Sequence, residues 1–181
     1  MAIPEHRQLK TLLRASMRDL ARNSPKDSAP VVAAVARWLA SHPEPGTIAS
    51  FAALPGEVDL LPLLSMEPGR RWVFPKVEGE HLAFHEIRDP ATELLPGAFG
   101  IREPHHLTPV IDPRTIEVFL CPGLAFDQRG GRLGRGRGFY DRALVLAGPG
   151  TRKLGVCFPW QRVADTHPEA HDIHMDEVIH G

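Results

Sequence analysis

The chain has 181 residues, 43% of them apolar, and its 21 basic and 22 acidic side chains leave a net charge of −1. That length supports one layered domain over residues 1–181, no apolar run approaches a membrane span, and the balanced charge argues against a general nucleic-acid-binding surface. Cys121 and Cys157 lack metal-ligand spacing and favour buried reduced thiols.

The N-terminus is polar and helical and shows no signal peptide, so a cytoplasmic location is expected, with no membrane or nucleic-acid partner. Residues 4–22 predict an amphipathic helix, with Pro4 suited to its first turn and Leu9, Leu12, Leu13, Met17 and Leu20 recurring near a 3.6 period. Lys10, Arg14 and Arg18 form a stripe along it that, taken alone, reads as a solvated basic face. Asn23-Ser24-Pro25 breaks the chain, and residues 26–41 predict a second helix whose core face is Val31, Val35, Trp38 and Leu39.

Residues 47–53 predict a strand. Glu57 follows it and opens a predicted helix over 58–66. A carboxylate there either serves the helix dipole or lies where ligands gather in open α/β sheets, at the carboxyl ends of strands. Residues 71–76 predict a strand running into Lys76, and 82–87 its hairpin partner, with a turn at 78–80. Residues 95–104 are punctuated as a loop.

The most informative stretch is 116–147, which reads strand, Gly/Arg-rich loop, helix. Glycines at 130, 131, 134, 136 and 138 can present several backbone amides to one anion. The following helix adds its dipole. Arginines at 129, 132, 135 and 137 supply planar forks that match phosphate oxygens. A triphosphate explains both residue types. The loop is neither a Walker A sequence nor the dinucleotide fingerprint. The bland alternative, an RNA-binding or mobile Arg-Gly tract, is usually longer and of lower complexity. Residues 153–158 predict a further strand. The tail holds His167, His171 and His174 with Asp165, Asp172 and Asp176. Pro168 and the alternation of Ile173, Met175 and Val178 argue against one helix and so against a helical transition-metal site.

Pro122-Gly123-Leu124-Ala125-Phe126-Asp127, then Gly130, then the run from Arg132 to Asp141 resemble the signature of the 5-formyltetrahydrofolate cyclo-ligases. Phe139 stands where that family often has a first tyrosine. The resemblance extends more loosely to 10–14, 51–59, 95–104 and 167–179. It implies ATP-dependent closure of 5-formyltetrahydrofolate to 5,10-methenyltetrahydrofolate, with Mg²⁺ as cofactor.

It also implies site roles. Lys10, Arg14, Arg132, Leu133, Gly134, Arg135, Gly136, Arg137, Gly138, Phe139 and Tyr140 would contact ATP. Glu57, Lys76, Phe99 and Tyr140 would contact the folate, and Glu57, Arg135 and Tyr140 are the catalytic candidates. Asp141 is the first metal candidate, as it sits in the first helical turn beside the loop, where its bland role is to favour the dipole. Asp172 and Asp176 are weaker ones. The expected fold is a three-layer α/β/α domain with a mainly parallel central sheet, similar to the sugar-isomerase and CoA-transferase type, acting as a monomer. Two alternatives remain open: a family relative acting on another substrate, and a non-catalytic nucleic-acid-binding module.

Overall fold

The computed structural model describes residues 5–97 and 100–181. Helices α1 (Glu5–Asn23) and α2 (Ala29–Ser41) precede strand β1 (Thr47–Ala49). Helix α3 (Pro62–Met66) leads into the hairpin of β2 (Arg71–Glu78) and β3 (His81–Glu86). One turn of helix, α4 (Pro90–Glu93), opens a ribbon of β4 (Leu94–Pro96) and β5 (Arg102–Pro104), followed by β6 (Val110–Ile111). Then come β7 (Val118–Cys121), a small hairpin of β8 (Ala125–Phe126) and β9 (Arg132–Leu133), α5 (Phe139–Val145), β10 (Arg152–Cys157) and β11 (Glu177–His180).

Seven strands form the main sheet in the order β11-β10-β7-β1-β2-β3-β6. Pairing is parallel from β11 to β2 and antiparallel for β3 and β6. Side chains alternate across the sheet. Ile48, Val118, Leu120, Leu154 and Val156 therefore pack with α2 and α3 on one face. Ala49, Phe119, Cys121 and Cys157 pack with Ala143 and Leu144 of α5 on the other. Helices thus flank a mainly parallel sheet, as expected. Burial pushes both thiols up to about 12, which leaves them unreactive at neutral pH.

Several boundaries differ from expectation. The strand over 47–53 stops at Ala49, and Phe51 and Ala52 continue as buried loop. The helix over 58–66 starts only at Pro62. Before it, residues 54–61 turn through Gly56 at φ +89°, and Val58 and Leu60 are buried as loop. Glu57 therefore opens no helix. Residues 94–104 hold a paired ribbon rather than a plain loop. In the tail, β11 adds a parallel strand outside β10, with Val178 and Ile179 facing opposite layers. Gly155 in β10 leaves space for the Phe126 ring, which a Cβ would meet at 2.5 Å.

Candidate functional site

A cavity of about 910 Å³ opens beyond the carboxyl ends of β1 and β7, where Phe51, Ala52, Pro122 and Gly123 line it. The Gly/Arg-rich loop forms one wall, and α1 contributes Arg7, Lys10, Thr11 and Arg14, one helical stripe. The far wall is largely apolar, with Pro75, Val77, Leu82 and Ile101, and includes Glu103.

The loop is held by a buried carboxylate. Asp127 accepts from the amides of Arg129 and Gly131 at 2.8 and 2.9 Å, and from the Thr166 amide and hydroxyl at 3.0 and 2.7 Å. Burial opposes its charge, but these hydrogen bonds together outweigh it and hold the carboxyl below its ordinary pKa. The glycines then divide by role. At Gly130 a Cβ would run into the Met175 carbonyl, and at Gly131 into Asp127 and Thr166, so both serve packing against the tail. Gly134, Gly136 and Gly138 line the cavity and lie against the side chains of Arg132, Arg14 and Arg142.

Charges meet across the cavity in pairs. Arg135 donates through Nε and Nη2 to Oε1 of Glu57 at 3.1 and 2.9 Å, while the Leu54 amide donates to Oε2 at 3.0 Å. Glu57 is thus fixed by its own turn and by the Gly/Arg-rich loop. Arg132, with its side chain 5% exposed, pairs with Asp141 at 3.1 Å, and Asp141 also accepts from the Ile173 amide at 3.3 Å. Arg14 Nε donates to the Gly134 carbonyl at 3.0 Å, and burial lowers the Arg14 pKa. Lys10 is buried between Asp172 and Glu169, 2.9 Å from the latter.

Two donors on the cavity floor have no partner among the described residues: the Tyr140 hydroxyl and Arg132 Nε. The Arg132 guanidinium lies 5.4 Å from the centre of the Tyr140 ring. Burial, with Cys121 and then Glu57 adding to it, pushes the phenol pKa well above its ordinary value, so the group stays a neutral donor. Orphaned buried donors beside a ligand-sized cavity suit a ligand that brings acceptors.

Of the expected site residues, Lys10, Arg14, Glu57, Asp141, Asp172 and residues 132–140 line this one cavity. Lys76 does not. The strand runs on to Glu78, so Lys76 is mid-strand, with the parity of Trp72 and Phe74 and opposite to the lining residues Pro75 and Val77. Asp176 is also absent from the cavity, because its carboxylate accepts from the Lys153 amide and joins β10 to β11. Arg129 pairs instead with Asp165 at 3.0 Å. Phe99 lies outside the described residues.

Sequence reasoning missed Arg7, Glu169 and Glu103. Arg7 was available by extending the Lys10–Arg14 stripe back one turn. Glu169 had no local signal, since its meaning comes from Lys10, 159 positions away. Asp172, one of the weaker metal candidates, lines the cavity and pairs with Lys10. Among the described residues no group of three or more His, Cys, Asp or Glu side chains is arranged to hold a metal ion, and no helix is long and apolar enough to cross a membrane.

Sheet, cavity and cationic wall together define an α/β protein with a ligand-sized cavity, rich in arginine and glycine, at the carboxyl ends of parallel strands. The sequence matches the profile of the 5-formyltetrahydrofolate cyclo-ligase family over residues 2–181. It is 35% identical over 134 residues to the Mycolicibacterium smegmatis 5-formyltetrahydrofolate cyclo-ligase, an alignment covering 69% of this chain and 66% of that protein. To the Escherichia coli K12 5-formyltetrahydrofolate cyclo-ligase it is 35% identical over 140 residues, 74% of this chain and 76% of that one. The NMR structure of the Aquifex aeolicus 5,10-methenyltetrahydrofolate synthetase superposes with a TM-score of 0.80 at 32% identity, covering 95% of this chain and 89% of that one. A Mycoplasma pneumoniae 5,10-methenyltetrahydrofolate synthetase shares the fold at 22% identity and a TM-score of 0.76.

The chain belongs to the 5-formyltetrahydrofolate cyclo-ligase family. It is thus a ligase of folate one-carbon metabolism.

Proposed function

We propose that this single cavity hosts both halves of the family's reaction, the triphosphate against the arginine and glycine wall and the folate against the opposite wall. As a 5-formyltetrahydrofolate cyclo-ligase, the protein cyclises 5-formyltetrahydrofolate to 5,10-methenyltetrahydrofolate and converts ATP to ADP and phosphate. The formyl oxygen attacks the γ-phosphorus and ADP leaves; N10 then closes on the formyl carbon and loses its proton as phosphate departs.

The observation that carries the reading is the Glu57–Arg135 pair at 2.9 Å. It sets the candidate folate contact beside the candidate triphosphate contact, so the two reacting ends would meet where these side chains meet. Phosphoryl transfer asks mainly for such positioning and for charge neutralisation. Lys10, Arg14, Arg132, Arg135 and Arg137 supply the cations, and the amides of Gly134, Gly136 and Gly138 the neutral donors. The volume of about 910 Å³ lies at the upper end for a single small-molecule pocket, roughly 300–1,000 Å³, which suits two ligands held together.

Mg²⁺ fits these residues as a phosphate-borne ion. It is usually held by one or two carboxylates together with substrate phosphates and water, and Asp141, lining the cavity with its side chain 21% exposed, meets that need. Asp172 lies beside it on the tail. When bound, the ion would neutralise phosphate charge, and Asp141 would orient it.

The test is the absorbance of the methenyl product with 5-formyltetrahydrofolate, ATP and Mg²⁺, each omitted in turn. A rise that needs all three supports the reading, and folded protein that binds ATP without a rise refutes it. Asp141→Asn should raise the Mg²⁺ concentration for half-maximal rate by about tenfold or more. An unchanged titration would remove Asp141 from the metal.

A further inference from the structure

Lys10 has more negative charge around it than it can neutralise. It is a buried lysine on the cavity wall, 6% exposed, and its ammonium donates to Asp172 and, at 2.9 Å, to Oε2 of Glu169. Both acids line the same cavity. His171 lies 3.9 Å from Glu169 and 3.7 Å from Asp172, too far for hydrogen bonds, and is largely exposed. Two carboxylates on one ammonium leave an excess negative charge where the nucleotide phosphates are proposed to lie. An anion entering there meets like charge at short range, which opposes binding unless one carboxylate withdraws.

The two acids are held differently. Asp172 belongs to a closed turn: its amide donates to the Glu169 carbonyl at 2.9 Å, and its Oδ2 accepts from the Glu169 amide at 2.7 Å. Burial opposes its charge, and the Glu169 amide, ahead of Lys10, holds the carboxyl below its ordinary pKa all the same. Asp172 therefore has an anchor apart from Lys10. The Glu169 side chain has none. Lys10 is its one hydrogen-bond donor among the described residues, and chiefly that bond keeps the carboxyl below its ordinary pKa. With 24% of it exposed, the side chain can turn to water, where its charge is solvated at little cost.

We propose that Glu169 is a positioning residue for Lys10, whose carboxylate holds the place of a phosphate oxygen and is exchanged for it when nucleotide binds. An ammonium carries three donors. Asp172 and Glu169 aim them, and a phosphate arriving along the Gly/Arg-rich loop takes the donor that Glu169 gives up. The bond it forms is again charge-assisted, so on Lys10 the exchange is nearly balanced. Nucleotide is thus bound less tightly than the number of cations implies, and the same carboxylate returns to Lys10 as ADP leaves. This inference rests on the nucleotide reading of the cavity.

The test is the Kd for ATP at fixed Mg²⁺, by calorimetry on the full chain, for wild type, Glu169→Gln and Glu169→Asp. The first variant removes the competing charge. The second keeps the charge but is one methylene shorter and loses its hold on Lys10. Both should bind ATP more tightly than wild type, Glu169→Gln by about threefold or more, as expected for release of a partly exposed ion pair. An unchanged or raised Kd in Glu169→Gln overturns the proposal, since a purely structural Glu169 would give that result together with a lower melting temperature. A gain in Glu169→Gln without one in Glu169→Asp also overturns it, because overall charge and not the contact with Lys10 would then set the affinity. Wild-type protein that binds no ATP would instead refute the nucleotide reading.

Discussion

Asp127 shows how one residue can serve the site without entering it. Its four hydrogen bonds fold the loop that carries the arginines, and its pKa is held below the ordinary value. The unfolded chain therefore takes up the proton more readily. Stability from this group is complete above the unfolded value of about 4 and is lost as pH falls through the lower folded value. Asp127→Asn should cost about 1–3 kcal/mol near neutrality and flatten the acid limb of melting temperature against pH. A limb identical to wild type would rule that out. At the cavity, Arg135→Ala should raise the KM for ATP roughly 10- to 150-fold, the worth of one charge-assisted bond, and that for folate much less. Glu57→Gln should lower kcat with ATP binding intact. Equal losses for both substrates in both variants would contradict the division of labour. The individual members of this site were legible from residue type and from resemblance, but their partners were not. Glu57 and Arg135 stood out separately, yet only folding joins positions 78 apart. Lys76 misled because the predicted strand ended two residues early, which made a mid-strand side chain look like one at a strand end.

Among the elements, α1 is the one most dependent on polar contacts. Met17 and Leu13 pack on Leu124, Ala125 and Leu133 of the β8–β9 region. The rest of its inner face is Lys10, tied to the tail, and Arg14, tied to the Gly134 carbonyl. Of the apolar residues that marked its period, Leu12 and Leu20 are exposed. The helix was legible from periodicity, but its buried side was not, because a lysine with two carboxylate partners takes the place of a leucine. Lys10→Met should leave the sheet intact and speed hydrogen exchange of the α1 amides about tenfold. Unchanged α1 exchange would mean that packing alone holds the helix. The strand β11 escaped prediction for a related reason. Glu177 to His180 carries too short an alternation to stand out, and it is defined by its parallel pairing with β10.

At the scale of the whole molecule, the cavity joins α1, the loops after β1 and β7, α5 and the tail, so an occupant bridges distant parts of the chain. Ligands bound only by the folded state stabilise it by about 2.7 kcal/mol at 100 times Kd. For a chain of this size that is a melting shift of about 5–11 °C. ATP or a non-hydrolysable analogue should give such a shift, and more with folate present. A shift with folate but none with nucleotide would place the triphosphate elsewhere.

The tie between Lys10 and Glu169 also has a meaning in time. The two residues are 159 positions apart, a span that takes roughly 8–32 s to synthesise at roughly 5–20 residues per second. Throughout that interval the emerging first helix carries cations whose carboxylate partners have yet to be made. A ribosome-bound intermediate can therefore lay down β1, β2 and β3 long before the tail closes the cavity. Stalling synthesis near residue 165 should yield a nascent chain that lacks β11 and both carboxylate partners of Lys10, and that binds ATP more weakly than the full chain.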